Sequence, residues 1–165
     1  EKIIDWQLVD RLWSEEEREF QYLACDYLRK MKKYLKTTDL PQIYQLATTK
    51  SWWETVDSLD ELVGTLLLSG KIKSQDILNW SIDENFWIRR IAIDCQLGFK
   101  EATDTELLSS VIRNNLASKE FFINKAIGWA LRDYSKTHPK WVAHFLSENE
   151  EKLANLSLRE ASKYL

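Results

Sequence analysis

Glycine, proline and cysteine are all scarce in this chain of 165 residues, which has four, two and two of them. Sheet-rich folds reverse direction often and use glycine and proline at the turns, so the shortage points to helices. Cys25 and Cys95 are isolated thiols with no His or Cys nearby at ligand spacing. That excludes a disulfide framework and a zinc site, and makes a reducing, cytoplasmic compartment the expectation. No apolar run approaches the roughly 18 residues of a membrane span, and residues 1–10 lack both the basic start and the apolar stretch of a secretory leader. With 44% hydrophobic and 30% charged residues the chain is neither disordered nor low in complexity. Its formal charge of -3 gives no global support to nucleic-acid binding, so a basic surface would have to be local. A chain of this length is expected to form one domain.

What is abundant is helix punctuation. Ser14 to Glu17, Thr103 to Glu106 and Ser157 to Glu160 match the capping box, and Ser51, Ser74 and Ser118 are further N-cap candidates. Pro139 suits a first helical turn. Apolar residues at Phe20, Leu23, Tyr27, Leu28, Met31 and Leu35 follow a 3.6-residue period. The same reading predicts helices near 2–13, 15–36, 39–48, 51–69, 75–80, 85–99, 104–116, 119–136, 139–148 and from 158 onward, with no strands. Buried positions are expected at Trp52, Val56, Leu59, Val63, Ile91, Ile123, Ile127 and Leu131.

A repeat is present. Trp52-Trp53, Phe86-Trp87 and Phe121-Phe122 each open a long helix at intervals of 34 or 35 residues, and Gly64 matches Gly98. Helix pairs of this length that stack on their neighbours indicate an all-α, HEAT-like solenoid of antiparallel pairs, a right-handed superhelix. The long helices at 51–69, 85–99 and 119–136 are then equivalent, and their outer faces are expected to line a groove. The helical pattern already in progress at Glu1 predicts that N-terminal helices of a longer array are missing.

The groove face has a chemical character of its own. Trp53 and Asp57 are neighbours at i and i+4, with Asp60 and Gly64 continuing a face away from the apolar stripe. Arg89 and Arg90 are expected to project from their helix. In the next helix Lys125 takes the repeat position of Arg90, and Trp129, Arg132 and Lys136 follow at i+4, i+7 and i+11. Cations interleaved with indoles suit a phosphate-tracking groove, and a peptide groove has the same composition.

Several segments carry a specific resemblance. Ser51-Trp-Trp-Glu-Thr-Val-Asp57, Val63-Gly64, Asn85-Phe-Trp-Ile-Arg-Arg-Ile-Ala-Ile93, Phe121-Phe-Ile-Asn-Lys-Ala-Ile-Gly-Trp-Ala-Leu-Arg132 and Tyr134-Ser-Lys136 resemble the DNA alkylation repair family of HEAT-like glycosylases, the AlkD type. Leu12-Trp13 and Glu17-Arg-Glu-Phe-Gln-Tyr22 are similar to it too. The resemblance implies excision of N3- and N7-alkylated purines from duplex DNA without metal or cofactor, and a monomer is expected. It matches the active-site aspartate with Asp57, the tryptophans with Trp53 and Trp129, and the arginine with the Arg89-Arg90 doublet, Arg90 being favoured. Arg89, Lys125, Arg132 and Lys136 are the expected DNA contacts. Nothing near Lys125 or Lys136 marks a Schiff-base nucleophile, so no lyase step is expected. The competing classes are a scaffold for proteins and a DNA-structure binder that cleaves nothing.

Overall fold

The computed structural model describes residues 2–165, and among them there are ten α-helices, three short 3-10 turns and no strand. The chain forms two compact units, Glu1–Lys73 and Ser74–Leu165. The first unit holds α1 (Trp6–Ser14), α2 (Arg18–Lys30), α3 (Leu40–Ala47) and α4 (Trp53–Leu68). Here α2 packs on α1 and α4, and α3 packs on α4. The second holds α5 (Ser74–Trp80), α6 (Phe86–Asp94), α7 (Thr105–Arg113), α8 (Phe121–Ser135), α9 (Pro139–Asn149) and α10 (Asn155–Ala161). There α6 packs on α5, α7 and α8, and α8 packs on α9 and α10. Within each unit the even-numbered helices therefore rest directly on one another. Stacked helix pairs produce that pattern, since each odd-numbered helix covers the outer side of its layer.

The apolar stripes read from sequence make the core. Val56, Leu59 and Val63 are fully buried in the first unit, and Ile91, Ile123, Ile127 and Leu131 in the second. Each such side chain contributes on the order of 1.5–3 kcal/mol by leaving water. Trp52 does not join them; it is 42% exposed. Its backbone is extended at the N-cap of α4, so its side chain leaves before the helical period begins. On α2, Phe20 and Leu23 are exposed while Gln21, Ala24, Cys25 and Leu28 form the buried face. The Gln21 side-chain amide donates to the carbonyls of Leu12, Trp13 and Glu15, each at 3.1 Å. Those are carbonyls of the last turn of α1 and of its C-cap, Glu15, and satisfying them turns a polar residue inward.

Helix ends also differ from the serine and threonine signals. Asp104, one residue after Thr103, caps α7 by accepting from the Leu107 amide at 3.0 Å. Ser14 ends α1 and donates to the Arg11 carbonyl, Ser51 donates to Ala47, and Ser157 is buried inside α10. Ser118 accepts from the Glu120 amide at 3.2 Å, just ahead of α8, and Pro139 does open α9. Gly98 is not the counterpart of Gly64. It follows α6 with φ at +79°, a left-handed position that suits glycine, whereas Gly64 is buried within α4.

Candidate functional site

In the first unit, α4 starts with Trp53, and Asp57 stands one turn further on the same face. Trp53 is 37% exposed and Asp57 half-buried, while Asp60, expected on the same open face, is buried. The open part of the face is thus narrower than the sequence spacing predicts. Cations reach the acidic flank of α4 from α2 and the turn after it. Arg29 pairs with Asp26 at 2.9 Å and Glu61 at 3.4 Å, and also bonds the Ser58 hydroxyl. Lys32 meets Glu61 at 2.9 Å. The Tyr22 phenol is raised above its ordinary pKa, chiefly because it hydrogen-bonds Glu54.

In the second unit two of the candidate cations, Arg90 and Lys125, lie against Trp129 of α8. Arg90 was expected to project; instead its side chain is only 1% exposed. Its Nη1 donates to the Phe122 carbonyl at 2.6 Å, and its guanidinium carbon lies 5.8 Å from the Phe122 ring centroid and 5.5 Å from that of Trp129. A cation so enclosed is held by ring quadrupoles and an early carbonyl of α8, and it braces the indole. Arg89, by contrast, turns back to the carbonyls of Asp83 at 2.7 Å and Glu84 at 3.2 Å. The two arginines therefore have separate jobs: Arg90 holds α6 to α8, and Arg89 ties the loop ahead of α6.

Lys125 approaches Trp129 as well, with Nζ 5.5 Å from the ring centroid. It does not stand free. Glu160 of α10 accepts from Lys125 at 2.9 Å with one oxygen and from Arg132 at 3.1 Å with the other. The Lys125 bond, with the charges of Lys125, Arg132 and Lys163, holds the Glu160 carboxyl below its ordinary pKa against the opposing effect of burial. Lys136 lies 5.3 Å from the Tyr164 ring centroid. The expected row of five open cations is corrected accordingly: Arg90 is enclosed, Arg89 is turned to backbone, Lys125 and Arg132 share a carboxylate, and Lys136 lies over Tyr164.

Glu160 reaches this position because position 128 is glycine. A Cβ on Gly128 would lie 2.6 Å from the Glu160 Cβ and 3.4 Å from the Ser157 Cα. Beside this close approach the buried Ser157 hydroxyl donates to the Asn124 carbonyl at 2.8 Å. Sequence reasoning missed Glu160, Gly128 and Phe122. The signal for Glu160 was present but taken for a helix cap. A separate open cavity of about 410 Å³, lined in part by Arg113, Trp141, His144, Phe145 and Glu148, contains none of the predicted site residues.

These features define an all-helical protein of stacked pairs that carries tryptophan, a carboxylate and tethered cations on its even-numbered helices. The family of DNA alkylation repair enzymes matches residues 2–165. A solved structure, a predicted DNA alkylation repair enzyme from Enterococcus faecalis, is 35% identical with a TM-score of 0.90, covering 97% of this chain and 75% of that one. No curated protein matches. The chain belongs to the DNA alkylation repair enzyme family, which supports a role in the repair of alkylated DNA. Among the described residues no helix is long and apolar enough to cross a membrane.

Proposed function

We propose that this chain acts as a single monofunctional glycosylase domain, a monomer that hydrolyses the N-glycosidic bond of N3- and N7-alkylated purines in duplex DNA. The observation that carries the reading is the Trp53-Asp57 pair, half-open on α4, in a chain whose family match runs from residue 2 to 165.

The chemistry asks for only one ionised carboxylate to act. An N3- or N7-alkylated purine already bears positive charge, so it leaves without a general acid. The remaining demand is to stabilise an oxocarbenium-like sugar and to place a water. Ionised Asp57 can do both, so the two carboxyl groups of sugar hydrolases are unnecessary. Trp53 and Trp129 offer indole faces to the lesion nucleotide, and a favourable cation-π contact contributes about 0.5–2 kcal/mol. Arg90 serves this reaction by fixing Trp129, since its guanidinium is committed to the indole, Phe122 and a carbonyl. Lys125 and Arg132, with Arg89 and Lys136 at the margins, attract backbone phosphate. No Schiff-base step is assigned to Lys125 or Lys136.

Release of free 7-methylguanine or 3-methyladenine from methylated duplex, corrected for spontaneous depurination, tests the proposal. Base release with the backbone intact is expected. Salt-dependent duplex binding without release would instead identify a non-catalytic DNA binder, and neither would leave a protein scaffold.

A further inference from the structure

We propose that Glu160 is a specificity-determining positioning residue whose carboxylate takes the place of a backbone phosphate between Lys125 and Arg132 and so lowers affinity for undamaged duplex. The inference rests on the DNA reading above.

The geometry is that of a bridging anion. One carboxylate divides its two oxygens between an ammonium at 2.9 Å and a guanidinium at 3.1 Å, much as two non-bridging oxygens of a phosphodiester would be shared by two cations. Lys125 and Arg132 flank Gly128 on one face of α8, at three residues before and four after it, and Glu160 lies over the glycine between them. Any larger residue at 128 would displace the carboxylate, so its position is set by backbone packing rather than by the reach of a flexible side chain. All three groups keep some contact with solvent, at 25%, 28% and 21% side-chain exposure, so phosphate can reach the cations.

The electrostatic consequence follows from the count. Two cations and one carboxylate leave one net positive charge where the sequence alone suggests two. A duplex phosphate arriving here has to share Lys125 and Arg132 with Glu160 and is repelled by it. Non-specific affinity, which grows with each phosphate neutralised, is reduced. Lys125 also faces Trp129, so the same carboxylate fixes a cation beside the indole assigned to the lesion nucleotide.

The test is duplex binding across a salt series with undamaged DNA, comparing the unaltered chain with Glu160→Gln, which keeps the shape and removes the charge. Tighter binding by Glu160→Gln is expected, with a salt slope steeper by about 0.9, the value for one more phosphate contact. In a Lys125→Met, Arg132→Gln background the same substitution should change nothing. An unchanged or shallower slope, with the unaltered chain binding normally, overturns the proposal. A lower melting temperature alone, the mark of a purely structural contact, does so too. If the unaltered chain shows no salt-dependent duplex binding, the DNA reading itself fails and this inference with it. Should Glu160→Gln not fold, carboxyl-carbon NMR of the unaltered chain decides: the Glu160 resonance should shift on adding undamaged duplex, and a resonance unmoved at saturation overturns the proposal.

Discussion

Helices α4 and α8 hold equivalent places in the repeat, each beginning at an aromatic pair, yet their polar flanks have opposite charge. On α4 the acids Glu54 and Glu61 belong to the helix, and the partners Tyr22, Arg29 and Lys32 come from the preceding segment. On α8 the cations Lys125 and Arg132 belong to the helix, and the acid, Glu160, comes from the following one. The repeat thus supplies a common apolar stripe and an aromatic pair at each helix start, while the charge of each layer is set by which neighbour completes it. In the proposed reading, chemistry and affinity divide between layers, with the carboxylate beside Trp53 on α4 and the carboxylate-bridged cations on the helix of Trp129, α8.

The shared core sets the largest expected effect. Leu66 on α4 and Leu131 on α8 are both fully buried, so Leu66→Ala and Leu131→Ala should each cost about 2–5 kcal/mol, read as a drop in denaturation midpoint. A tolerant response at one site would show that the two stripes are not equivalent. Function is expected to divide them instead. Asp57→Asn keeps shape and removes charge, so single-turnover release of alkylpurine should fall by about two orders of magnitude, roughly 2.7 kcal/mol of lost transition-state stabilisation, with folding little changed because Asp57 is only half-buried. Full activity in that variant would remove Asp57 from the mechanism.

The layered fold was largely legible because it depends on period. Val56, Leu59, Val63, Ile91, Ile123, Ile127 and Leu131 fall on helical stripes, and the aromatic doublets mark three helix starts correctly. Trp52 failed because an N-cap residue lies outside the period it introduces, and Gln21 was missed because its value lies in three carbonyls at the end of another helix and its C-cap. The tethering of cations was illegible for a similar reason. Nothing local to Lys125 or Arg132 announces a carboxylate about thirty residues later, and the capping-box pattern at Ser157 and Glu160 offered a nearer explanation. Contacts between helices are fixed by packing, which a one-dimensional motif does not encode.

Gly128→Ala sharpens the comparison at an intermediate scale. In an isolated helix this change would stabilise by about 0.8–1 kcal/mol. Here the new methyl meets Glu160 Cβ at 2.6 Å and Ser157 Cα at 3.4 Å, both close to the backbone of α10, so helix separation has to increase. A net loss of about 1–3 kcal/mol is expected from overpacking, read by chemical denaturation. Net stabilisation would mean that α10 moves aside without cost.

The smallest effect separates the two kinds of ion pair. Glu61 is 44% exposed and Glu160 21%, and pairs in this range contribute about 0.2–1 kcal/mol, the less exposed one more. Glu160→Gln should therefore lower the melting temperature at neutral pH more than Glu61→Gln does. Because Lys125 and Arg132 hold the folded Glu160 carboxyl below its ordinary pKa, its contribution is complete above the ordinary carboxylate range and is lost as pH falls through the depressed folded value. The difference in melting temperature between the unaltered chain and Glu160→Gln should accordingly persist at neutral pH, narrow as the carboxyl takes up its proton, and vanish at strongly acidic pH. A difference that stays constant through acidification would mean that Glu160 stabilises α10 by packing against Gly128, and that the charge it brings to α8 contributes nothing to folding.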